Sequence, residues 1–327
     1  MKLIINPSTD PAFNLALEEV LLTTSQEEII LLWRNRPAVI IGRNQNAHAE
    51  IDFDFLKQHN ITLIRRLTGG GAVFHDLGNL NFSLFTRYEE GRFNDYKHFT
   101  KPVIGYLETL GIHAEQTGRN DITIEGAKIS GNAQTVYKNR ILHHGTLLFH
   151  ADLSRMAGAL RPDPEKIASK GIKSVSSRVT NIYSHLPENH REMTIEDFMS
   201  GLADFFESNG AVKTALSEDQ IQAAEELVKQ KYGQWAWNFG QSPDYQYQKK
   251  LRFQGGSVQL CFAVEKGIIQ TIRIYGDYFG AMPIEELEKA LTGIAHQEDV
   301  LSAVLSEIDL QSFISGISKE QFLALFF

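Results

Sequence analysis

The chain reads as an α+β protein, with mixed, largely antiparallel sheets flanked by helices and a smaller α+β unit at the C-terminal end. Three observations predict this. β-rich runs follow one another across short turns through much of the chain. Helical periodicity is confined to separate windows, chiefly residues 10–22, 51–59, 96–110, 194–208 and 217–231. From about Gln246 the pattern restarts, with three strand-like segments followed by short helices. Such a mixture of strand runs and segregated helices is the α+β pattern.

Asp10-Pro11 predicts a helix start, Asp as N-cap and Pro at the first helical position, running to about Leu22 with Leu15, Glu18 and Glu19 on successive turns. EIILLWR and PAVIIGR, separated by Asn35 and a proline, predict a hairpin. After a short helix at 51–59, ITLI is a strand leading into a glycine-rich stretch, and NLNFSLFT is the next strand. Residues 96–110 suit an amphipathic helix ending near Gly111. DITIEG, AKISGNAQTVY and RILHHGTLLFH follow as strands, the last two forming a hairpin that turns at Lys138, Asn139 and Arg140. The windows 194–208 and 217–231 each open at a Thr or Ser followed by an acid, a capping signal. WAWNFGQSPDYQ is the expected linker or interface, dividing the chain into residues 1–245 and 246–327. Beyond it come three strands with turns at Gly255-Gly256 and Lys266-Gly267, then helices near 283–294 and 297–305.

Composition narrows the function classes. At 327 residues, 43% hydrophobic and 22% charged, the chain has the make-up of a globular protein with room for two cores. A net charge of −8 argues against a general nucleic-acid binder, which needs a broad basic surface. The single cysteine, Cys261, rules out an internal disulfide framework and a cysteine-rich zinc site, and its apolar strand marks it as a core residue. The N-terminal apolar run is too short for a signal peptide, and no stretch is long and apolar enough to span a membrane, so the expected location is cytoplasmic.

Between Arg65 and Asp76 the chain reads RRLTGGGAVFHD. Gly69, Gly70 and Gly71 permit positive φ and close approach of a ligand to main-chain N–H groups, the makings of an anion nest. Arg66 adds a fork suited to phosphate or carboxylate. No Lys-Ser or Lys-Thr follows, and the AVF that does is strand-like, so this is neither a Walker A loop nor a dinucleotide fingerprint. A second cluster, GRNDITIEGAKISGNAQ, sets Lys128 in a strand bracketed by Gly126 and Gly131, with Asn120-Asp121 upstream as a Mg²⁺ or ribose ligand. HHGTLL is expected to pair beside it. A third, residues 161–181, is rich in Lys and Arg and suits an anion-closing loop or a partner dock. His143, His144 and His150 lack metal-type partners, so zinc is not expected, and Trp33, Trp235 and Trp237 are read as packing residues.

RRLTGGGAVFHDLGNLNFS, GRNDITIEGAKISGNAQ, HHGTLLFHADL and KGIKSVSSRVTN, in this order and spacing, closely resemble the lipoate–protein ligase A family of the biotin/lipoate ligase superfamily. The likeness spans about residues 1–245, and the remainder resembles the accessory domain of the long bacterial form. It implies a class II synthetase-like catalytic domain that activates lipoate with ATP and Mg²⁺ to lipoyl-AMP, then passes the lipoyl group to a lysine of an apo lipoyl domain or of the glycine-cleavage H protein. The acceptors would be E2 subunits of 2-oxoacid dehydrogenases or H protein, and the enzyme a monomer. By the family pattern Arg66 and the amides of Gly71, Ala72, Val73 and Phe74 bind nucleotide and acyl phosphate. Lys128 is the catalytic lysine bridging the lipoate carbonyl and the α-phosphate, and Asp121 a Mg²⁺-site residue. Gly70, His75, His144 and Gly145 line the lipoate or nucleotide pocket, and Lys173, Ser177 and Arg178 belong to the adenylate loop. Thr68 stands where serine is common in the family, and its hydroxyl can make the same contact. Two alternatives share the fold class or the ligands: an ATP-independent lipoyl or octanoyl transferase, and an idle lipoate- or adenylate-binding protein. The absence of cysteine from residues 1–245 removes the thioester route to the first, and a cation at the reacting carbonyl is superfluous in the second.

Overall fold

The computed structural model describes residues 1–45, 47, 51–160, 179–238, 247–265 and 267–327. An eight-stranded mixed sheet forms its centre, in the order β11 (Val212–Lys213), β1 (Lys2–Ile5), β2 (Ile29–Trp33), β6 (Asn79–Arg87), β10 (Arg140–Leu148), β9 (Ala127–Tyr137), β8 (Asp121–Ile124), β7 (Glu115–Thr117). β1 pairs in parallel with β2 and β11, and the other neighbours are antiparallel.

Helices cover both faces of this sheet. The helix α1 (Pro11–Thr24) starts where Asp10 accepts from the amides of Ala12 and Phe13, with Pro11 as its first residue. Its Leu15, Leu17 and Leu21 pack with Trp33, Phe85 and Leu142 on one face. On the other, Phe99, Val103 and Tyr106 of the helix Tyr96–Thr109 and Phe198 and Leu202 of Ile195–Ser208 meet Leu80, Phe82 and Leu84. Thr194 and Ser217 both close capping boxes, with the acid Asp197 as the partner of Thr194 and the amide Gln220, rather than an acid, as that of Ser217. The β9–β10 hairpin turns at Lys138, which adopts φ 51.

The expected β2–β3 hairpin is not formed. β3 (Ala38–Ile41) instead lies between β4 (Thr62–Arg65), parallel, and β5 (Val73–His75), antiparallel, in a separate three-stranded sheet. Both edges of β2 are already taken by β1 and β6, so the next apolar run has to find partners elsewhere. This small sheet has a direct consequence for the glycine stretch: residues 66–72 must cross from β4 to β5 over the end of β3. Gly42, just past β3, makes room for that crossing, since a Cβ there would lie 2.0 Å from the carbonyl oxygen of Gly70.

A second three-stranded sheet, β12 (Tyr247–Phe253), β13 (Gly256–Glu265) and β14 (Ile268–Gly276), packs against the helices Ile284–Leu291 and Glu298–Ser306 around a core that includes Leu260, Phe262, Leu287 and Leu301. Cys261 is buried in β13, a core residue as its apolar strand predicts. The proposed boundary at 245 and the loop 161–178, with Lys166, Lys170, Lys173, Ser177 and Arg178, lie outside the described residues.

The segment after β14 presses on the glycine stretch. The Gly70 amide donates to the Tyr278 carbonyl at 3.3 Å, and the Arg119 guanidinium sits 3.9 Å above the Phe279 ring. A Cβ on Gly69 would lie 2.3 Å from the Tyr278 oxygen. Gly69→Ala is therefore expected to lower stability by roughly 1–3 kcal/mol through overpacking, read as an earlier urea midpoint. An unchanged midpoint would show that the two surfaces are not in contact in solution.

Candidate active-site cleft

Between the glycine stretch and the main sheet lies a cleft with about 610 Å³ of atom-free space, its open mouth included. Leu15, Trp33 and Ile40 wall its buried end, and Lys128, Asn120 and Gly131 its open end. The glycine stretch forms one side through Gly70, Gly71, Ala72 and Val73, and Thr146 and Gly145 of β10 lie along the floor. Thus three of the sequence clusters, far apart in the chain, converge on one cavity. Arg66, His75 and His144 line it too. The Phe74 side chain is turned away into a separate core with Val39 and Ile41, leaving only its backbone on the strand beside the cleft.

The two arginines of the motif are buried, and their N–H groups bind the protein itself. Arg65 donates to the carbonyls of Gly42, Arg43, Gln45, Trp237 and Asn238, pinning β4 to the chain on both sides. Arg66 donates to Thr68 Oγ1 at 2.9 Å and to the carbonyls of Ile40, Gly69 and Gly71. The fork that the sequence assigns to a ligand holds the glycine stretch in its curve. Burial pulls both guanidiniums down to about 10, still protonated at neutral pH. Arg66 therefore supplies a fixed positive charge behind the loop.

That charge has a buried counterpart. Glu18, on α1, accepts from Ser83 Oγ at 2.6 Å and lies 2.9 Å from His144 Nδ1. Ser83 in turn accepts from the Trp33 indole N–H, and His144 Nε2 lies 2.8 Å from Thr68 Oγ1. One arrangement of protons satisfies every member: Nδ1–H of His144 donates to the carboxylate, and Thr68 donates to Nε2 while accepting from Arg66. In the sequence Glu18 stands out only as a residue on successive turns of α1 and Ser83 has no assigned role, and Trp33, read there as packing, also lines the cleft.

His143, the neighbour of His144, faces the opposite side of β10. It stacks on Phe99 at 4.9 Å, and its two nitrogens meet Gln134 and Asn132. It is a core residue that orients Asn132, whose side chain also donates to the Asn120 carbonyl and to Ser130.

Lys128 enters the cleft beside a β-bulge, where the β8–β9 register shifts between Ile122 and Thr123. Its Nζ is 2.7 Å from Asp121 Oδ1, both side chains about one-third exposed. A Cβ on Gly131 would lie 2.9 Å from that Nζ, so glycine there gives the lysine its channel. The chain returns from the 161–178 segment at this point, with the Thr180 amide donating to the Lys128 carbonyl.

His75 is held by a separate chain of amides. Asn6 donates to Asn14, Asn14 to the Asn35 side-chain oxygen, and Asn35 Nδ2 lies 3.1 Å from His75 Nδ1. Asn14 also donates to the carbonyls of Ser8 and Arg34, which fixes the direction of the relay. Nδ1 of His75 is therefore the acceptor, and its proton sits on Nε2. Burial, then the charge of Arg66 and the neighbouring His144, push this imidazole down to about 3 from 6.5. The unfolded chain consequently takes up a proton near pH 6.5 that the folded chain refuses until about pH 3. Stability falls as pH drops through that window, by up to about 1.4 kcal/mol per unit from this group. His75→Gln is expected to reduce the slope of unfolding free energy against pH between these limits, and an unaltered slope would assign the acid sensitivity elsewhere.

The family profile "Lipoyl protein ligase A/B catalytic domain" matches residues 10–207, and "Bacterial lipoate protein ligase C-terminus" matches residues 242–326. The chain is 41% identical to lipoate–protein ligase 1 of Staphylococcus aureus over 99% of both chains, and 40% identical to the lipoate-protein ligase LplJ of Bacillus subtilis over 97% of both. Its fold matches P. falciparum LipL1 in complex with lipoate, at TM-score 0.76 and 25% identity, over 99% of this chain and 97% of that one. Lipoate-protein ligase A bound with ATP aligns at TM-score 0.63 and 28% identity, over 73% and 98%. The bi-partite ligase of Thermoplasma acidophilum, studied with its E2 lipoyl domain, aligns at 0.65 and 30%, over 75% and 98%. With matches along its whole length and a cleft built from the motifs that carry the likeness, the chain belongs to the lipoate–protein ligase family.

Proposed function

We propose that this cleft carries out both half-reactions of an ATP-dependent lipoate–protein ligase, with Lys128 as the cation at the reacting centre. One observation supports the assignment of Lys128: it lines the same cleft as the glycine stretch with its ammonium beside Gly131, so an acid whose chain fills the buried end would bring its carboxylate towards it. In the first step a carboxylate oxygen attacks the α-phosphorus of ATP and pyrophosphate leaves. Negative charge gathers on the phosphoryl oxygens, and a fixed ammonium and oriented N–H groups stabilise it. In the second, the ε-amine of an acceptor lysine attacks the acyl carbon and AMP departs, with Lys128 opposing the charge that forms on the carbonyl oxygen.

The amides of Gly71, Ala72, Val73 and Phe74 are the proposed nucleotide donors, and the charge of Arg66 acts through the loop it shapes. Gly70, His75, His144 and Gly145 serve the acyl group, and Lys173, Ser177 and Arg178 the adenylate. Among the described residues no group of three His, Cys, Asp or Glu side chains is placed to hold a metal by itself. Mg²⁺ arriving on the triphosphate needs one or two protein carboxylates, of which Asp121 would supply one. Bound there it would neutralise charge on the leaving pyrophosphate. A phosphate beside Lys128 would also replace its ion pair with Asp121. The acceptors are apo lipoyl domains or H protein, the enzyme a cytoplasmic monomer.

Lipoate-dependent ATP–pyrophosphate exchange tests the reading. Lys128→Ala is expected to lower it by about 10²–10³-fold, the usual effect of removing one charge-stabilising donor. Exchange at the wild-type level in that variant would remove Lys128 from the chemistry. Lipoyl transfer proceeding equally well without ATP would favour the transferase alternative.

A further inference from the structure

A line of buried polar groups ties the seat of Lys128 to the core, and backbone groups fix its direction at both ends. At one end the amide of Asn94 donates to Gln134 Oε1 at 2.7 Å. The Gln134 amino group therefore faces His143 Nδ1, 3.0 Å away, and Nδ1 accepts. The proton of that imidazole then sits on Nε2 and is donated to Asn132 Oδ1 at 3.2 Å. At the other end Asn132 Nδ2 donates to the Asn120 carbonyl at 3.1 Å and to Ser130 Oγ. A backbone N–H only donates and a carbonyl only accepts, so neither Gln134 nor Asn132 turns over without losing its backbone contact. Ser130, Asn132, Gln134 and His143 are each 3% exposed or less.

The line ends beside the Lys128 ammonium. Asn120 and Asn132 clasp each other: the Asn132 amide donates to the Asn120 carbonyl at 2.9 Å, and Asn120 Nδ2 donates back to the Asn132 carbonyl at 2.5 Å. The adjoining residues, Asp121 and Gly131, are register partners across β8 and β9. These two seat the ammonium, since Nζ lies 2.7 Å from Asp121 Oδ1 and a Cβ on Gly131 would lie 2.9 Å from Nζ. On the Lys128 side of the seat the ladder is irregular, because Ile129 has no partner in the β8–β9 register. The clasp is thus the regular anchor next to a bulge.

We propose that His143 is a positioning residue for adenylate formation: by donating to Asn132 it holds the Asn120–Asn132 clasp and, through it, the seat of Lys128. This rests on the ligase reading above. His143 stacks on Phe99 and does not line the cleft, so it acts only through its neighbours. Without its N–H, Asn132 Oδ1 becomes a buried acceptor with no donor, and the amide gains by turning away from Asn120. The ammonium then loses the fixed geometry on which stabilisation of phosphoryl charge depends.

Three substitutions separate the two hydrogen bonds of His143. His143→Phe keeps a ring against Phe99 and loses both. His143→Asn puts an oxygen near the place of Nδ1, accepting from Gln134 but giving nothing to Asn132. His143→Gln puts an amino group near the place of Nε2 and keeps the donor to Asn132. The readout is lipoate-dependent ATP–pyrophosphate exchange on the full chain, per folded molecule counted by near-ultraviolet circular dichroism. His143→Phe and His143→Asn are expected to lower kcat by about 10–10²-fold, with KM for lipoate and ATP within about twofold. His143→Gln is expected to restore most of the loss. In a Lys128→Ala background His143→Phe is expected to cost nothing further, since the ammonium it positions is gone. An undiminished kcat in His143→Phe, an equal loss with and without Lys128, or a His143→Gln variant as slow as His143→Phe overturns the proposal while leaving the ligase reading intact. Absence of lipoate-dependent exchange from the unaltered chain overturns both.

Discussion

A buried pair of opposite charges, held apart by a histidine and a threonine, organises this site. Arg66 and Glu18 do not touch. Thr68 and His144 bridge them, so charge on the glycine stretch is balanced by charge on α1 through neutral groups. Neither ion has bulk water to solvate it, and each is tolerable only because its partners are in place. The chain of contacts joins the hydrogen-bonded β6–β10 pair to α1 and to the loop between β4 and β5, and α1 otherwise meets that pair through non-directional apolar packing. Hydrophobic burial brings these elements together, and the polar chain sets the position of one against another.

Around that centre the cleft has two chemically distinct ends. The buried end is walled by Leu15, Trp33 and Ile40, with His75 oriented by the amide relay that begins at Asn6. At the open end the Lys128–Asp121 pair is partly solvated, and such a pair contributes little to stability. A partly exposed ion pair is readily exchanged for other ions, whereas Arg65 and Arg66 cannot leave their carbonyls without stranding them. The same motif thus contains fixed cations that shape backbone and a movable cation beside it.

Much of this was legible in the amino-acid order. The glycine stretch, Lys128 between its glycines and the β9–β10 hairpin are local patterns, and local patterns survive in sequence. The buried polar groups were harder to see because their meaning is set by distant partners. Glu18 sits 126 positions from the histidine it orients. NLNFSLF in β6 alternates polar and apolar residues, which ordinarily marks a face open to water. Here β6 is central and both its faces are covered, so Asn79, Asn81 and Ser83 point into a buried space. The missed β2–β3 rearrangement has the same origin, since no local signal says that both edges of β2 are occupied. Arg66 shows the converse: the residue stands out in the sequence, but the carbonyls that take most of its donors lie on β3 and in a loop whose path is a tertiary property.

The contact between Gly70 and Tyr278 changes what it means for an anion to bind the glycine stretch. The amide is already engaged by a carbonyl of the protein's own C-terminal portion. That carbonyl is an internal competitor, present at a concentration set by the fold and indifferent to dilution. Any phosphate that takes the amide has to displace it, so apparent affinity is the intrinsic affinity scaled by the fraction of molecules in which the amide is free. How tightly the last quarter of the sequence grips the loop would thereby tune how readily this one amide is free to meet an anion.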